Sequence, residues 1–582
     1  MTATIDDMAP VSGRGISTLF TECVTWPRPA GRRLPIVVLL GPTGSGKTVL
    51  LRTLRNQVAR APHAFIDLET RHATGPIDIM TELADQLRGV RFPRFRLGLL
   101  ATRPTPEGLS SEARRRHLLR RLHRFPVGPT RRWWAGRGRH TATDALLYLN
   151  FAFDLDRRDV ERELCAALLA DLRAAYANPI LGLVRTASCV AMIDNAHVGG
   201  GAAFVELVAK VRGSEPDPLL VVAASGRALP VRPPGAPDLA AWTRSHDEAR
   251  WRTRCLPVRL RDLELDDVDR LARVGGLRSR GALASFAHRL TGGHPRGVRT
   301  VLDLVEHGKD TVLARSGELL DELLDEVPAE LRTALVTCAA AHHLTVPAAR
   351  AALGGAPVAT NLVGTVGDLL WLRGTELHPW PRRLSLLALA RRPDDHEDSW
   401  AAVHGRLRDH CHATGDRPGE LYHRLALGDV EHVVRTLDAE LRPGCDPTAW
   451  QDTLLTVTSA PSRPAVDEPG GRVRELAGWA HNESRRVRAL TWLVAARWVT
   501  ADPLGDPFCR LEPEIANRWG VLSGAVPHAS DVFFEAGQQV LADFDRKGGL
   551  VENLPAWRGV ASTPETGRLE PPVSPRRKAL RV

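Results

Sequence analysis

Lysine is almost missing from this chain. Of 78 basic residues only five are lysine, at positions 47, 210, 309, 547 and 578; the rest are arginine. None of the five follows an asparagine, which excludes the Asn-Lys-x-Asp motif by which GTP-binding proteins read guanine. A Leu-Ser-Gly-Gly-Gln signature is absent as well, which excludes an ABC-type ATPase. Paired cysteines are also lacking. The eight cysteines stand at 23, 165, 189, 255, 338, 411, 445 and 509, with no Cys-x-x-Cys among them. That spacing argues against structural zinc and for reduced thiols in a cytoplasm. His410-Cys411-His412 has no second ligand pair nearby and reads as a helix surface. No apolar run approaches the ~20 residues of a membrane span. Met1 to Pro10 holds two Asp and no basic residue, unlike a secretory signal.

One of the rare lysines falls in Gly41-Pro42-Thr43-Gly44-Ser45-Gly46-Lys47-Thr48, a full match to the phosphate-binding pattern G-x-x-x-x-G-K-[ST]. The apolar run Leu34 to Leu40 before it predicts a buried strand, and Thr48 to Arg55 takes helical periodicity. Strand, glycine loop and helix is the order the pattern needs. Gly44 and Gly46 permit backbone conformations closed to other residues and leave room for phosphate. The loop N–H groups and the helix N-terminus face the anion, Lys47 reaches the β- and γ-phosphates, and the Thr48 hydroxyl ligates Mg²⁺. With the guanine-reading motif absent, adenine is favoured over guanine, and the nucleotide expected is ATP or ADP.

A second candidate strand is His63 to Leu68, and a third, Cys189 to Ile193, ends in Asp194, the position that holds Mg²⁺ in P-loop enzymes. The long interval from Lys47 to Asp194 predicts an elaboration between the two motif strands. Asp156 to Ala177 reads as a helix leading back to the second of them. Pro218 to Arg227 predicts another buried strand, in which Ser225 is a polar sensor position and Arg227 a cation near the γ-phosphate. Leu256 to Leu260 is a short strand whose Pro suits an edge. Gly293-His294-Pro295 then precedes a helix, with Pro in its first turn.

In this order, GPTGSGKT, VAMIDNAH, VVAASGR and GGHP resemble the motifs of the STAND ATPases, a regulatory branch of the AAA+-related P-loop NTPases. The resemblance implies an α/β P-loop core, a parallel sheet with helices on both faces, then an all-α C-terminal half with a winged-helix domain. Pro295 would lie near the adenine and Arg227 would sense the γ-phosphate; the family's Asp-x-Ala-His histidine falls on His197. The expected boundaries are an N-terminal segment 1–30, the core 31–262, a helical lid 263–310, a winged helix 311–395, a repeat-like helical region 396–547 and a disordered basic tail 548–582. One position departs from active relatives. Asn195 follows Asp194 where an acid is common, and a neutral amide orients water but is a poor base. The catalytic set Lys47, Asp194, Asn195 and Arg227 therefore suits slow or conditional hydrolysis in a switch that controls self-assembly or access of a protein partner. A carboxylate at 195 would be expected to speed it.

The charge is localised. The chain's net charge is +10, and residues 91–140 hold fourteen Arg against Glu107 and Glu112, a local +12 that leaves −2 elsewhere. Arg114-Arg115-Arg116, Arg120-Arg121 and Arg131-Arg132-Trp133-Trp134 fit nucleic acid, with Arg on phosphates and Trp stacked on bases. They fit an anionic membrane surface equally, and a solvated insertion too. The alternative function is thus a nucleic-acid-binding ATPase or transcription regulator that uses this insertion and the winged helix.

Overall fold

The computed structural model describes residues 13–25, 34–58, 61–71, 74–103, 111–122, 128–137, 141–177, 188–212, 217–229, 255–275, 280–305, 309–464 and 468–546. The expected basic tail 548–582 lies outside the described residues.

Five parallel strands form the N-terminal sheet: β1 (Ile36–Leu40), β2 (His63–Asp67), β3 (Cys189–Asp194), β4 (Leu219–Ser225) and β5 (Cys255–Arg259), in the order β2-β3-β4-β1-β5. Parallel strands need helical crossovers, which cover both sheet faces and demand apolar side chains on each. The strands meet that demand by alternation. Ile36, Val38, Ile66, Ala191, Ile193, Val221 and Ala223 enter one core; Val37, Leu39, Val190, Met192, Leu220 and Val222 enter the other. On the second face Leu50, Leu51 and Leu54 of the helix Lys47–Gln57 pack beside Ile16, Leu19 and Phe20. The three motif strands end at one edge of the sheet. Ligands in such sheets bind at the carboxyl ends of the strands.

The elaboration between β2 and β3 is helical, and much of it belongs to the first core. Trp134, on the short helix Pro129–Ala135, is 1% exposed, and its indole N–H donates to the Arg94 carbonyl at 3.2 Å. Asp171, in the helix Arg157–Tyr176, accepts the N–H groups of Arg94 (2.8 Å) and Phe95 (2.9 Å) and pairs with the Arg94 guanidinium at 3.0 Å. These contacts correct one sequence expectation. Trp134 is a core residue and is not offered for stacking on a base, and Arg94 is an internal ion-pair partner. The exposed cations cluster elsewhere, at Arg115, Arg116 and Arg120 on the helix Ser111–Leu122.

Among the described residues from Leu265 onward, the chain is helical except for a hairpin of β6 (Leu372–Arg373) and β7 (Glu376–Leu377). One continuous core runs from Leu263 to Ala536, so the C-terminal half is a packed body and not a string of loose helices. Side-chain caps start most of its later helices: Ser399 accepts from Ala402, Asp416 from Gly419, Asp429 from His432 and Ser484 from Val487. Such caps each contribute ~1 kcal/mol. Two of these helices, Arg417–Ala426 and Val430–Glu440, are separated where Gly428 takes φ 88°.

Because Trp134 fills the first core, Trp134→Ala should destabilise the protein by about 3 kcal/mol or more. Denaturant unfolding of the two proteins checks this; an unchanged midpoint would show that the arginine-rich insertion is separable from the core.

Candidate functional site

The loop after β1 is built for anions. Gly44 has φ 82° and Gly46 φ 87°, both in the left-handed region. Gly44 is doubly constrained: a Cβ there would lie 2.8 Å from Arg296 Cβ and 2.8 Å from His294 Cε1. The turn closes through Ser45 N–H to the Pro42 carbonyl at 3.1 Å, and Leu50 N–H to the Gly46 carbonyl at 2.9 Å starts the helix. Gly41 N–H donates to the Ser225 carbonyl at 3.4 Å, tying the loop to the end of β4.

Lys47 is 8% exposed and folds over its own loop. Its Nζ donates to the carbonyls of Gly41 and Pro42, each at 2.8 Å, and to Ser45 Oγ at 3.4 Å. Burial pulls its pKa down to about 8, against the raising influence of Glu326 and Asp194. Asp194 is 1% exposed at the end of β3. Burial raises its pKa, while the Thr48 hydroxyl and the Asn195 N–H oppose the rise by hydrogen bonding. Its Oδ2 is buried without a hydrogen-bond partner. A buried orphan carboxylate oxygen beside a hydroxyl is the donor set a hard divalent cation takes. Asp194 and Thr48 therefore fit such an ion.

Two other predicted residues take different places. The Ser225 hydroxyl donates to the Arg227 carbonyl at 2.6 Å and accepts its N–H at 3.1 Å. It closes the strand-end turn and is not offered to a phosphate. The Arg227 side chain is exposed, near enough to His197 to lower its pKa. His197 Nδ1 accepts the Gly226 N–H at 3.1 Å, and burial is the main cause of its lowered pKa, so the neutral ring carries its proton on Nε2. Asn195, at φ 55°, gives its backbone N–H to Asp194 Oδ1 at 3.0 Å.

Several contacts on the loop come from far along the chain. Pro295 opens the helix Pro295–Val305, and that helix rests its first turn on the loop: Arg296 N–H donates to the Gly44 carbonyl at 3.1 Å. His294 is fully buried and its Nε2 meets the Thr43 carbonyl at 2.9 Å, while Nδ1 accepts Gly297 N–H at 3.2 Å. Burial holds its pKa at about 3, so the ring is neutral and Nε2 is the donor. The Thr43 hydroxyl donates to Glu326, and the same carboxylate acts electrostatically on Lys47 and His197. Nearby, Arg259 at the end of β5 donates to the carbonyls of Leu370 (3.0 Å) and Leu372 (2.6 Å), and Ala228 N–H to that of Asp368 (3.1 Å). The helix–hairpin unit after residue 329 is thus docked over the ends of β4 and β5. Sequence reasoning missed Glu326, Arg296 and His294 as loop contacts. Only His294 had a local signal, as the middle residue of Gly293-His294-Pro295.

Residues 32–130 match the family model of an AAA domain. The match takes in β1, the loop and the following helix and ends before Asp194. No curated protein matches the chain. Among solved structures, the ORC2 protein of Aeropyrum pernix, in ADPNP–ADP complexes, is similar over 67% of this chain and 89% of its own, at 11% identity and TM-score 0.28. A signal transduction ATPase with numerous domains (STAND) from Pyrococcus horikoshii, with a tetratricopeptide repeat sensor, is similar over 94% of this chain and 67% of its own, at 12% identity and TM-score 0.22. The strand order, the glycine loop and the matched domain define the class: an AAA+-related P-loop ATPase core followed by a half that is helical apart from the β6–β7 hairpin. No helix among the described residues is long and apolar enough to cross a membrane.

The Lys47 pKa sets a pH dependence. Phosphate binding needs the charged amine, and bound phosphates raise its pKa again. ATP affinity should therefore be flat below pH 7 and weaken as pH rises through about 8. Calorimetry at pH 8.5 in buffers of different ionisation heat should find uptake of roughly half a proton or more per ATP. Zero uptake would contradict the buried, partly neutral lysine.

Proposed function

We propose that the chain is an ATP-dependent regulatory switch, in which Mg²⁺ held by Asp194 and Thr48 and the triphosphate on Lys47 control how the C-terminal half sits on the core. The observation that carries this reading is the contact of Glu326 with Thr43 at the phosphate loop. A carboxylate there bears electrostatically on Lys47, the cation that a phosphate would use, and holds a hydroxyl of the loop that a phosphate would enter. ATP and Glu326 compete for them, so nucleotide arrival weakens the docking of the segment that carries Glu326. Hydrolysis, slow or conditional, resets the arrangement. The output is self-assembly or access of a protein partner to the helical region 396–547. Three helices (Ala329–Cys338, Val346–Ala352 and Val358–Asp368) followed by the β6–β7 hairpin support reading 311–395 as a winged helix used as a docking module. The boundaries 31–262 for the core and 263–310 for the lid are proposed on the same footing.

A second reading has its own observation. The exposed Arg115, Arg116 and Arg120 lie on one short helix and make a cationic face suited to nucleic acid. Such binding falls steeply with salt, because each neutralised phosphate releases counterions. Charge reversal at all three positions should abolish it and leave ATP affinity unchanged; salt-insensitive binding, or none at low salt, would remove the nucleic-acid role.

The switch is tested at Glu326 and Lys47. Glu326→Gln should tighten binding of a fluorescent ATP analogue about tenfold, a change of ~1.4 kcal/mol. Lys47→Ala should weaken it severely. Equal affinity in wild type and Glu326→Gln would show that the carboxylate does not compete with phosphate.

A further inference from the structure

The residue after Asp194 is an amide, yet two carboxylates stand beside it. β2 and β3 run parallel with Asp67 paired to Asp194, so both strands end in an aspartate at the same level. The short helix Leu68–Arg71 follows β2 directly and brings Glu69 to the same edge. Asn195 Nδ2 donates to both groups, to Asp67 Oδ1 at 3.1 Å and to Glu69 Oε2 at 3.1 Å. The same Asp67 oxygen also accepts the Glu69 backbone N–H at 3.1 Å, which fixes the helix start. Asn195 is itself held in place by its N–H to Asp194.

We infer that Glu69 is the general base for ATP hydrolysis in this chain: the carboxylate missing at 195 is supplied from the end of β2, and Asn195 positions it. The inference rests on the reading of the chain as an ATPase. Glu69 is preferred over Asp67 on geometry. The Asp67 oxygen at this spot already takes two hydrogen bonds and the side chain is half-buried, whereas Glu69 is exposed and reaches farther. An amide that donates to a carboxylate still has its own carbonyl oxygen to accept a proton of water. In the step proposed, the water oxygen bonds to the γ-phosphorus as the bond from that phosphorus to the bridging oxygen breaks. ADP leaves with the electron pair, the water proton passes to the Glu69 carboxylate, and inorganic phosphate is released. The proton then returns to solvent from an exposed side chain.

This geometry reverses the expectation that an acid at 195 would speed hydrolysis. A carboxylate there would face Asp67 and Glu69 together, and like charges at such range repel.

The test uses the full-length protein and measures ATP affinity and single-turnover hydrolysis side by side. Glu69→Gln should lower the single-turnover rate about a hundredfold, with ATP affinity within about twofold of wild type. Asp67→Asn should lower the rate only severalfold, and Asn195→Asp should lower it rather than raise it. The inference is overturned by a wild-type rate in Glu69→Gln, by an equal loss in Asp67→Asn, which would move the base to that residue, or by a faster Asn195→Asp. A wild type that binds ATP without ever hydrolysing it overturns the base and leaves the switch standing. A wild type that does not bind ATP overturns both.

Discussion

The rest of the structure depends on how the loop at Thr43 and Gly44 is held. Gly44 takes a backbone angle closed to other residues, and its carbonyl accepts a hydrogen bond from the helix that begins at Pro295. The neighbouring Thr43 gives its carbonyl to His294 and its hydroxyl to Glu326. Two consecutive residues of the phosphate loop are thus bound by three residues about 250 to 283 positions away. A ligand that reshapes this loop must act on all three contacts, and any change in the C-terminal half must act back on the loop. Coupling of this kind is reciprocal by thermodynamic necessity.

The electrostatics favour a site that is poised and not relaxed. Lys47 is buried among backbone carbonyls, Asp194 keeps one oxygen without a partner, and Glu326 lies within reach of the lysine's field. Buried charges are costly unless paired. The lysine's lowered pKa and the aspartate's raised one both express that cost. A magnesium-bound triphosphate would relieve the two together, adding anion to the lysine and cation to the aspartate. The neutral histidines, His294 and His197, contribute fixed N–H donors without adding further charge to desolvate.

What the sequence revealed follows from the range of the interactions. The glycine loop, Asp194 and the strands β1, β3 and β4 are local patterns, and each could be read from a few consecutive residues. The alternation that fills two cores is likewise local. Trp134 was misread because an arginine-rich neighbourhood gives no sign that one of its tryptophans faces inward; the Arg94–Asp171 pair that fixes it spans 77 positions. Glu326 and Glu69 left no trace because their contacts with Thr43 and Asn195 arise only when distant segments meet. Asn195 stands in the sequence as an amide where an acid is common, but its side-chain neighbours lie at the end of β2 and in the helix after it, 128 and 126 positions earlier. The break at Gly428 was legible in principle, since Leu427-Gly428-Asp429 combines a turn glycine with a helix-capping aspartate.

The central claim is that nucleotide on the loop loosens the grip of the C-terminal half. Hydrogen exchange of backbone amides, with and without ATP and Mg²⁺, tests it most directly at Arg296, Gly297 and the segment 320–328. The account predicts faster exchange at these amides when ATP is bound, and no change in Lys47→Ala. Unchanged or slower exchange in the wild type, with ATP shown to be bound, would contradict it.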